Sequence, residues 1–351
     1  MVRLKDIALQ AGVSLMTVSK ALRDAPDVSA ATKMRVKQLA TQMGYVPDSS
    51  AAGLRTRTTR LFGLAVSSLT NPIFSRVVLA IEQQATAMGY DVILAHTLNQ
   101  PEREEVCLKR FLARRVDGIF ISPVYRMGSE APVYREILAR NIPTVVLGHT
   151  APFCNFFLNV ESDDLLGSYA VTRHLLSLGH RRIAFLAGPA ATPWTQERFE
   201  GYRRALRESG LDVDDKLVFQ AGRTIEEGGK AALQMISEKS DATAVQAVND
   251  MIAVGCADTF LQQGLRIPED ISVAGFGNTL VSEFFRVPLT TVRQPKFRLG
   301  VAAAEAMQLL LRGQRPESKR LAADLAKRAS TGTAPATSPL ERLKTGVHQQ
   351  I

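Results

Sequence analysis

The chain is poor in the residues from which secreted frameworks, metal centres and membrane anchors are built. It holds three cysteines in 351 residues. Cys107, Cys154 and Cys256 are odd in number and widely separated, without the paired spacing of a zinc site. They read as buried free thiols, so no disulfide, metal or cofactor is expected. No run of about eighteen apolar residues occurs, the least that a membrane-spanning helix needs. The opening residues lack the basic, apolar and cleavage regions of a signal peptide, so a cytoplasmic protein without membrane contact is expected. Catalytic signatures are missing as well: there is no Gly-x-Ser-x-Gly elbow, Gly-Lys-Ser phosphate loop or His-Glu-x-x-His. Gly275-Phe276-Gly277 lacks the third glycine and the acidic partner of a dinucleotide site. An enzyme is not expected.

Acid is scarce at one end. Residues 1 to 60 hold ten lysines and arginines against four aspartates, a balance of +6 within a total of +9. A sixth of the chain thus carries two-thirds of the excess positive charge, as a surface that neutralises phosphates would. The remaining composition, 46% hydrophobic and 22% charged, is ordinary for folded domains, and the length implies two or three of them.

Within the basic segment, Leu4, Ile7, Ala8 and Ala11 recur at helical spacing until Gly12, which can take the left-handed conformation that stops a helix. Ser14 then caps a second helix whose inner side carries Val18, Ala21 and Leu22. Leu15, Met16, Ser19 and Lys20 are left facing outward. Exposed apolar residues at a helix start are costly in water but suit thymine methyls and base edges in a major groove. A third helix opens at Val28-Ser29-Ala30-Ala31-Thr32 and directs Met34, Val36, Leu39, Ala40 and Met43 inward. Asp6-Ile7-Ala8, Ala11-Gly12-Val13-Ser14, Thr17-Val18-Ser19 and Gly44-Tyr45-Val46-Pro47 together resemble the headpiece of the lactose-repressor/galactose-repressor family of transcriptional regulators. The resemblance implies that Leu15, Met16 and Lys20 read bases while Thr17, Ser19, Arg23 and Arg55 touch phosphate. It also implies that Leu54, on a hinge helix formed on DNA, wedges into the minor groove. Gly53 departs from the family's larger polar residue and lowers helix propensity by about 1 kcal/mol relative to alanine.

From Leu61 onward short apolar runs alternate with amphipathic helical patterns: 61–67, 75–89, 90–95, 102–114 and 118–122, then runs near 143–147, 182–187, 217–220, 244–248 and 272–276. This is the βαβ grammar of parallel sheets. Two Rossmann-like halves fit the length and resemble the periplasmic-binding-protein fold. Ligands in such folds lie in the crevice at the carboxyl ends of the strands. The family resemblance places Phe74, Arg198 and Asn249 against the effector. Gly277 and Asn278 are read as effector-binding too, although Gly148-His149 and Gly277-Asn278 stand where many sugar-responsive relatives carry an aspartate, and Thr224 falls near a position where an aromatic is usual. Trp194, the only tryptophan, offers a stacking face. His149 either donates to a ligand hydroxyl or pairs with a carboxylate. Losing acidic acceptors while keeping an arginine favours a sugar acid over a neutral sugar.

The expectation is therefore an all-α helix-turn-helix headpiece (1–46), a hinge and linker (47–60) and a two-lobed α/β sensor (61–330). Lobe 1 takes about 61–160 plus 292–319, and lobe 2 about 161–291 plus 320–330. Leu340, Leu343, Val347 and Ile351 recur at helical spacing, but fewer than two heptads cannot sustain a coiled coil, so 331–351 is read as a disordered tail. The functional expectation is a nucleoid-associated, ligand-responsive repressor of carbohydrate-related genes. A homodimer would bind pseudo-palindromic double-stranded operator DNA, switched by a sugar or sugar acid whose sign of action the residues do not reveal. An exported solute-binding protein shares the sensor fold but conflicts with the headpiece.

Overall fold

Gly12 sets the first boundary of the computed structural model, which describes residues 2–46, 58–128, 130–338 and 340. The chain divides into two compact units, with the boundary between residues 59 and 60. Leu54, Arg55 and the rest of the expected hinge helix lie outside the described residues.

In the first unit, α1 (Leu4–Ala11) buries Ile7, Ala8 and Ala11 and stops at Gly12, whose φ of 63° returns its amide to the Ala8 and Leu9 carbonyls. Ser14 accepts a hydrogen bond from the Thr17 amide at 3.1 Å and opens α2 (Leu15–Leu22). Ser29 caps α3 (Ala30–Gln42) in the same way. Ile7, Val18, Ala21 and Val36 are wholly buried at the centre. Met34 departs from its expected inward position and is 64% exposed. It lies two residues before buried Val36, about 200° away around the helix, on the opposite face.

The second unit contains two six-stranded sheets. The first is built from β1 (Leu61–Val66), β2 (Asp91–His96), β3 (Gly118–Ile121), β4 (Thr144–Leu147), β5 (Leu158–Ser162) and β11 (Lys319–Leu321), in the order β11-β5-β4-β3-β1-β2. All its pairings are parallel, with Phe62 opposite Gly118 and Leu61 opposite Asp91. Successive residues of a strand face opposite sides. Phe62, Leu64 and Val66 accordingly meet α4 (Pro72–Ala87) and α12 (Lys296–Leu311), while Ala65, Ile119 and Ile121 meet α5 (Pro101–Ala113) and α6 (Pro132–Ala139). The second sheet holds β6 (Ile183–Ala187), β7 (Val218–Gln220), β8 (Ala244–Ala247), β9 (Ser272–Phe276), β10 (Thr290–Arg293) and β12 (Asp324–Ala326), in the order β12-β10-β9-β8-β6-β7. Only β12 runs antiparallel. Its helices are α7 (Asp164–Ser177), α8 (Pro193–Glu208), α9 (Ile225–Ser237), α10 (Asp250–Gln262) and the short α11 (Leu280–Phe284). The α9 and α10 backbones pack so closely that a Cβ on Gly255 would lie 1.8 Å from the Ile225 carbonyl oxygen.

The chain passes between the lobes three times, after Ser162, after Arg293 and after Leu321. The short strands β11 and β12, separated by two residues, thus belong to different sheets. The segment after residue 330 is not loose where it is described. His174 meets Thr331 at 3.0 Å, Ala334 donates to the Leu178 carbonyl at 2.9 Å, Ser338 donates to the Ala242 carbonyl at 2.8 Å, and Leu340 is fully buried. The heptad criterion that read 331–351 as disordered missed these contacts, because their partners stand far upstream and leave no local periodicity. Cys107, Cys154 and Cys256 are buried free thiols. Among the described residues no helix is long and apolar enough to cross a membrane.

Candidate functional site

Each unit offers one surface built for recognition. On α2, Leu15 and Met16 are 52% and 64% exposed. Ser19 and Lys20, four residues on from each, share that face with them, and Arg23 follows one turn later. The Lys20 ammonium forms an ion pair with Asp27, and Arg23 Nε donates to the Ser19 carbonyl at 2.8 Å. The exposed Thr17 hydroxyl lies 2.9 Å from Ser14 Oγ at the start of the helix. The arrangement presents two bare apolar side chains beside a lysine held by an exchangeable carboxylate, chemistry that fits methyls and acceptors on base edges.

In the second unit, loops and helix starts at the carboxyl ends of both sheets enclose a cavity of about 430 Å³. Phe74, His149, Trp194, Arg198 and Asn249 line it together, alongside Asn71, Tyr125, Asp164, Arg223, Asp250, Phe276 and Gln294. Gly277 and Asn278 do not line it. Their carbonyls accept the Lys296 ammonium at 2.5 and 2.7 Å, and Asn278 Oδ1 accepts from Arg328 at 2.6 Å, which turns the segment away.

Arg198 is only 4% exposed. Its Nε and one terminal nitrogen donate to Asp164 Oδ2 at 3.1 and 2.7 Å, the other nitrogen donates to the Val248 carbonyl at 2.6 Å, and the guanidinium lies 3.7 Å from the Phe276 ring centroid. Trp194 covers it more loosely, at 5.0 Å. Asp164 Oδ1 in turn accepts from Ser162 at 2.5 Å, and Gln294 Nε2 donates to Ser162 Oγ at 2.8 Å. A chain of polar contacts therefore runs from the cavity wall into two of the three crossings. Asn249, expected to serve the ligand with its amide, caps α10 by accepting from the Ile252 amide at 2.8 Å and reaches the Arg223 carbonyl with its nitrogen at 3.4 Å. Thr224 caps α9 in a reciprocal pairing with Glu227 and provides no aromatic face.

Of the two roles open to His149, the structure shows the carboxylate pair. Its Nε2 lies 3.0 Å from Glu197 Oε2, outside hydrogen-bond geometry, and 3.7 Å from Glu161. Arg320 bridges Glu161 and Glu197 at 2.7 Å each. Glu197 belongs to the second lobe and the other three to the first, so this network ties the lobes together. The burial of His149 acts most strongly on its pKa, downward, but Glu197, Asp164 and Glu161 together outweigh it and hold it above the ordinary value. Burial pulls Glu197 up, and His149 and Arg320 outweigh that to leave its pKa low. The ring nitrogen and two carboxylates lie within 4.8 Å of one another, near enough to share a cation, but the Arg320 guanidinium already occupies both acids.

The sequence reading did not single out Asp164, Arg223, Glu161, Glu197, Arg320 or Gln294 as site residues. Ser162-Asp163-Asp164 carries a helix-start signal in which Asp163 caps the helix and leaves the second acid free, so Asp164 had a local clue. The others are defined by partners as far as 159 residues away in sequence.

The model described as "Bacterial regulatory proteins, lacI family" matches residues 3–48, and the "Periplasmic binding protein-like domain" matches residues 172–331. The HTH-type transcriptional repressor CytR of Escherichia coli (strain K12) is 34% identical over 310 residues, 88% of either chain. A lac repressor dimer bound to operator and the anti-inducer ONPF superposes with a TM-score of 0.85 at 29% identity, covering 94% of this chain and 99% of that one. The transcriptional regulator CelR in its cellobiose complex gives 0.71 at 28% identity, covering 94% and 100%.

Proposed function

The chain belongs to the lacI family of bacterial regulatory proteins, DNA-binding regulators of transcription, and from that premise we propose a homodimeric repressor switched by a small sugar or sugar acid held between the sensor lobes. The observation that carries the reading is the polar chain from Arg198 through Asp164 and Ser162 to Gln294, which joins the cavity wall to the interlobe crossings. A ligand that touches Arg198 or Gln294 bears directly on the segments about which the lobes move. Such a ligand shifts the lobe equilibrium only by its difference in affinity for the two arrangements.

Two headpieces related by twofold symmetry would set paired α2 helices in successive major grooves. Leu15 and Met16 select by shape and methyl contact, Lys20 donates to a guanine edge, and Thr17, Ser19, Arg23 and Arg55 hold phosphates. Leu54 would enter the minor groove between the half-sites. The second copy is supported by apolar surface that water does not favour, Leu280 at 70% and Phe284 at 80% exposure on α11. Effector readings use the five lining residues named first above, with Trp194 as stacking face and optical reporter.

A gel shift on candidate operators across a salt series tests the regulator, with and without a ligand found by Trp194 fluorescence. The expectation is a steep salt slope, competition only by specific sequence, and a ligand-dependent change in affinity. Salt-insensitive or sequence-blind binding would sink the proposal.

A further inference from the structure

The charges that line the cavity are not equally occupied. Arg198 is held by Asp164, Asp250 accepts from the Thr279 amide at 2.7 Å and from the Thr291 hydroxyl at 2.5 Å, and Glu161 is held by Arg320 and Asn159. Arg223, between β7 and α9, differs. Its Nε is buried without a hydrogen-bond partner, and among the described residues no carboxylate forms an ion pair with its guanidinium. Glu227, close in sequence, is engaged by the Arg223 and Thr224 amides at 2.7 and 2.8 Å. Exposed Glu226 also lines the cavity but forms no ion pair among the described residues. Burial presses the Arg223 pKa down and the Glu227 charge offsets that only in part, yet arginine remains charged at any ordinary pH, so the site holds a cation without an ion-pair partner among the described residues. A second orphan faces the same space: Gln294 is 8% exposed and its Oε1 has no donor, while its Nε2 is committed to Ser162 and Asp164.

Buried polar atoms without partners are rare, and in Arg223, half-buried as a whole, the Nε is one of them. Together the two atoms fit a ligand that brings one anion and one hydrogen-bond donor. α9 starts two residues after Arg223 and the cap of α10 reaches the Arg223 carbonyl, so two helix starts add positive dipole ends nearby, although Glu226 and Asp250 in their first turns offset part of that field. Arg198 cannot take the anion's charge in the same way, since Asp164 already neutralises it.

We propose that the effector carries an anionic group, a carboxylate or a phosphate on a polyhydroxylated body, that pairs with Arg223 while a hydroxyl of that body donates to Gln294 Oε1. The assignment rests on the cavity being the effector site. It moves the seat of anion recognition from Arg198 to Arg223, and a planar fork at that point accounts for selection by charge.

The test uses the full chain and matched ligands: glucose, gluconate, glucuronate and glucose 6-phosphate, and ribose with ribose 5-phosphate, each titrated calorimetrically and by Trp194 fluorescence at constant ionic strength. The expected result is tighter binding of at least one anion than of its neutral parent, with carboxylate and phosphate arms telling which anion is used. In Arg223→Gln that preference falls about 30-fold or more, the scale for losing one partner of a desolvated charge pair. Arg223→Lys recovers part of it, having charge without the fork. Thermal denaturation checks that both variants fold, and Gln294→Leu is expected to weaken hydroxyl-bearing anions without abolishing the preference for charge. A panel in which no anion outbinds its parent overturns the proposal, as does a preference that survives Arg223→Gln. If neutral sugars bind and alter operator affinity while anions do not, the cleft remains an effector site and only the assignment to Arg223 fails.

Discussion

Replacing Arg198 with methionine removes one member of a pair whose side chains are 5% and 1% exposed, and leaves the Asp164 carboxylate buried without its cation. Three guanidinium hydrogen bonds, at 3.1, 2.7 and 2.6 Å, go with it, as does the 3.7 Å stack on Phe276. Breaking a buried pair from one side costs about 3–5 kcal/mol, chiefly because the remaining charge stays desolvated. At about 2–4 °C per kcal/mol for a unit of this size, the melting temperature should fall by about 6–20 °C. Asp164→Asn leaves the guanidinium unpaired instead and should cost a similar amount, whereas the double variant strands neither charge. The double variant is therefore expected to recover at least about 2 kcal/mol relative to the sum of the singles, the signature of direct coupling. Urea unfolding, followed in parallel by far-ultraviolet circular dichroism and Trp194 emission, measures all four corners of the cycle. A cost below about 1 kcal/mol for Arg198→Met, or additive costs in the double variant, would refute the pairing as the source of stability.

The interlobe network predicts a pH dependence. Because the carboxylates of Glu197, Asp164 and Glu161 outweigh burial and raise the His149 pKa, its stabilising contribution is complete below about 6.5 and lost as pH rises through the elevated value; Arg320 faces the same acids and stays charged throughout. The stability gap between the wild type and His149→Gln should therefore narrow as pH rises through that window, read from urea midpoints, and a gap that widens contradicts the sign. In the headpiece, Lys20→Ala should relax sequence preference by about 1–3 kcal/mol at one base pair, while Arg55→Ala weakens all sites alike; equal losses on every sequence for both would remove Lys20 from the base readers. Leu340→Ala should cost about 2–5 kcal/mol in thermal or urea unfolding, since its side chain is fully buried, and no change would mean that the end of the chain contributes no core.

The headpiece was legible because its signals are local. Gly12, Ser14 and the spacing of Ile7, Val18 and Val36 specify stop, cap and core within a few turns, and the structure departs mainly at Met34. The apolar strands of the sensor were readable for the same reason. Strand β5 was not, because Asn159, Glu161 and Ser162 are polar yet buried, and a strand that hides polar groups breaks the pattern that reveals strands. A single final strand near 321–328 was read where β12 lies, but β11 and β12, three residues each, are too short to show that they are separate strands. At the cleft, residue types suggested Arg198 and Trp194, but not that Asp164 neutralises the arginine or that Arg223 has no such partner. Those facts depend on loops from separate helices meeting in space. His149 shows the same limit, since its acid partners lie 12 and 48 positions further along the chain.

The threefold passage between lobes also governs the order in which the protein can assemble as it is synthesised. Lobe 1 needs Ala303 and Met307 from α12 to complete one face of its sheet, and lobe 2 needs β12 and Leu340. Neither core can close while the ribosome is still producing the middle of the chain, whereas the headpiece has all its core by Tyr45. Domains tend to fold as units during synthesis, starting from the N-terminus. The headpiece should thus fold before the second unit, whose lobes remain open until α12, β12 and Leu340 have been made. A nascent chain stalled before α12 would carry a finished headpiece joined to two unfinished lobes, whose unclosed apolar faces invite chaperones.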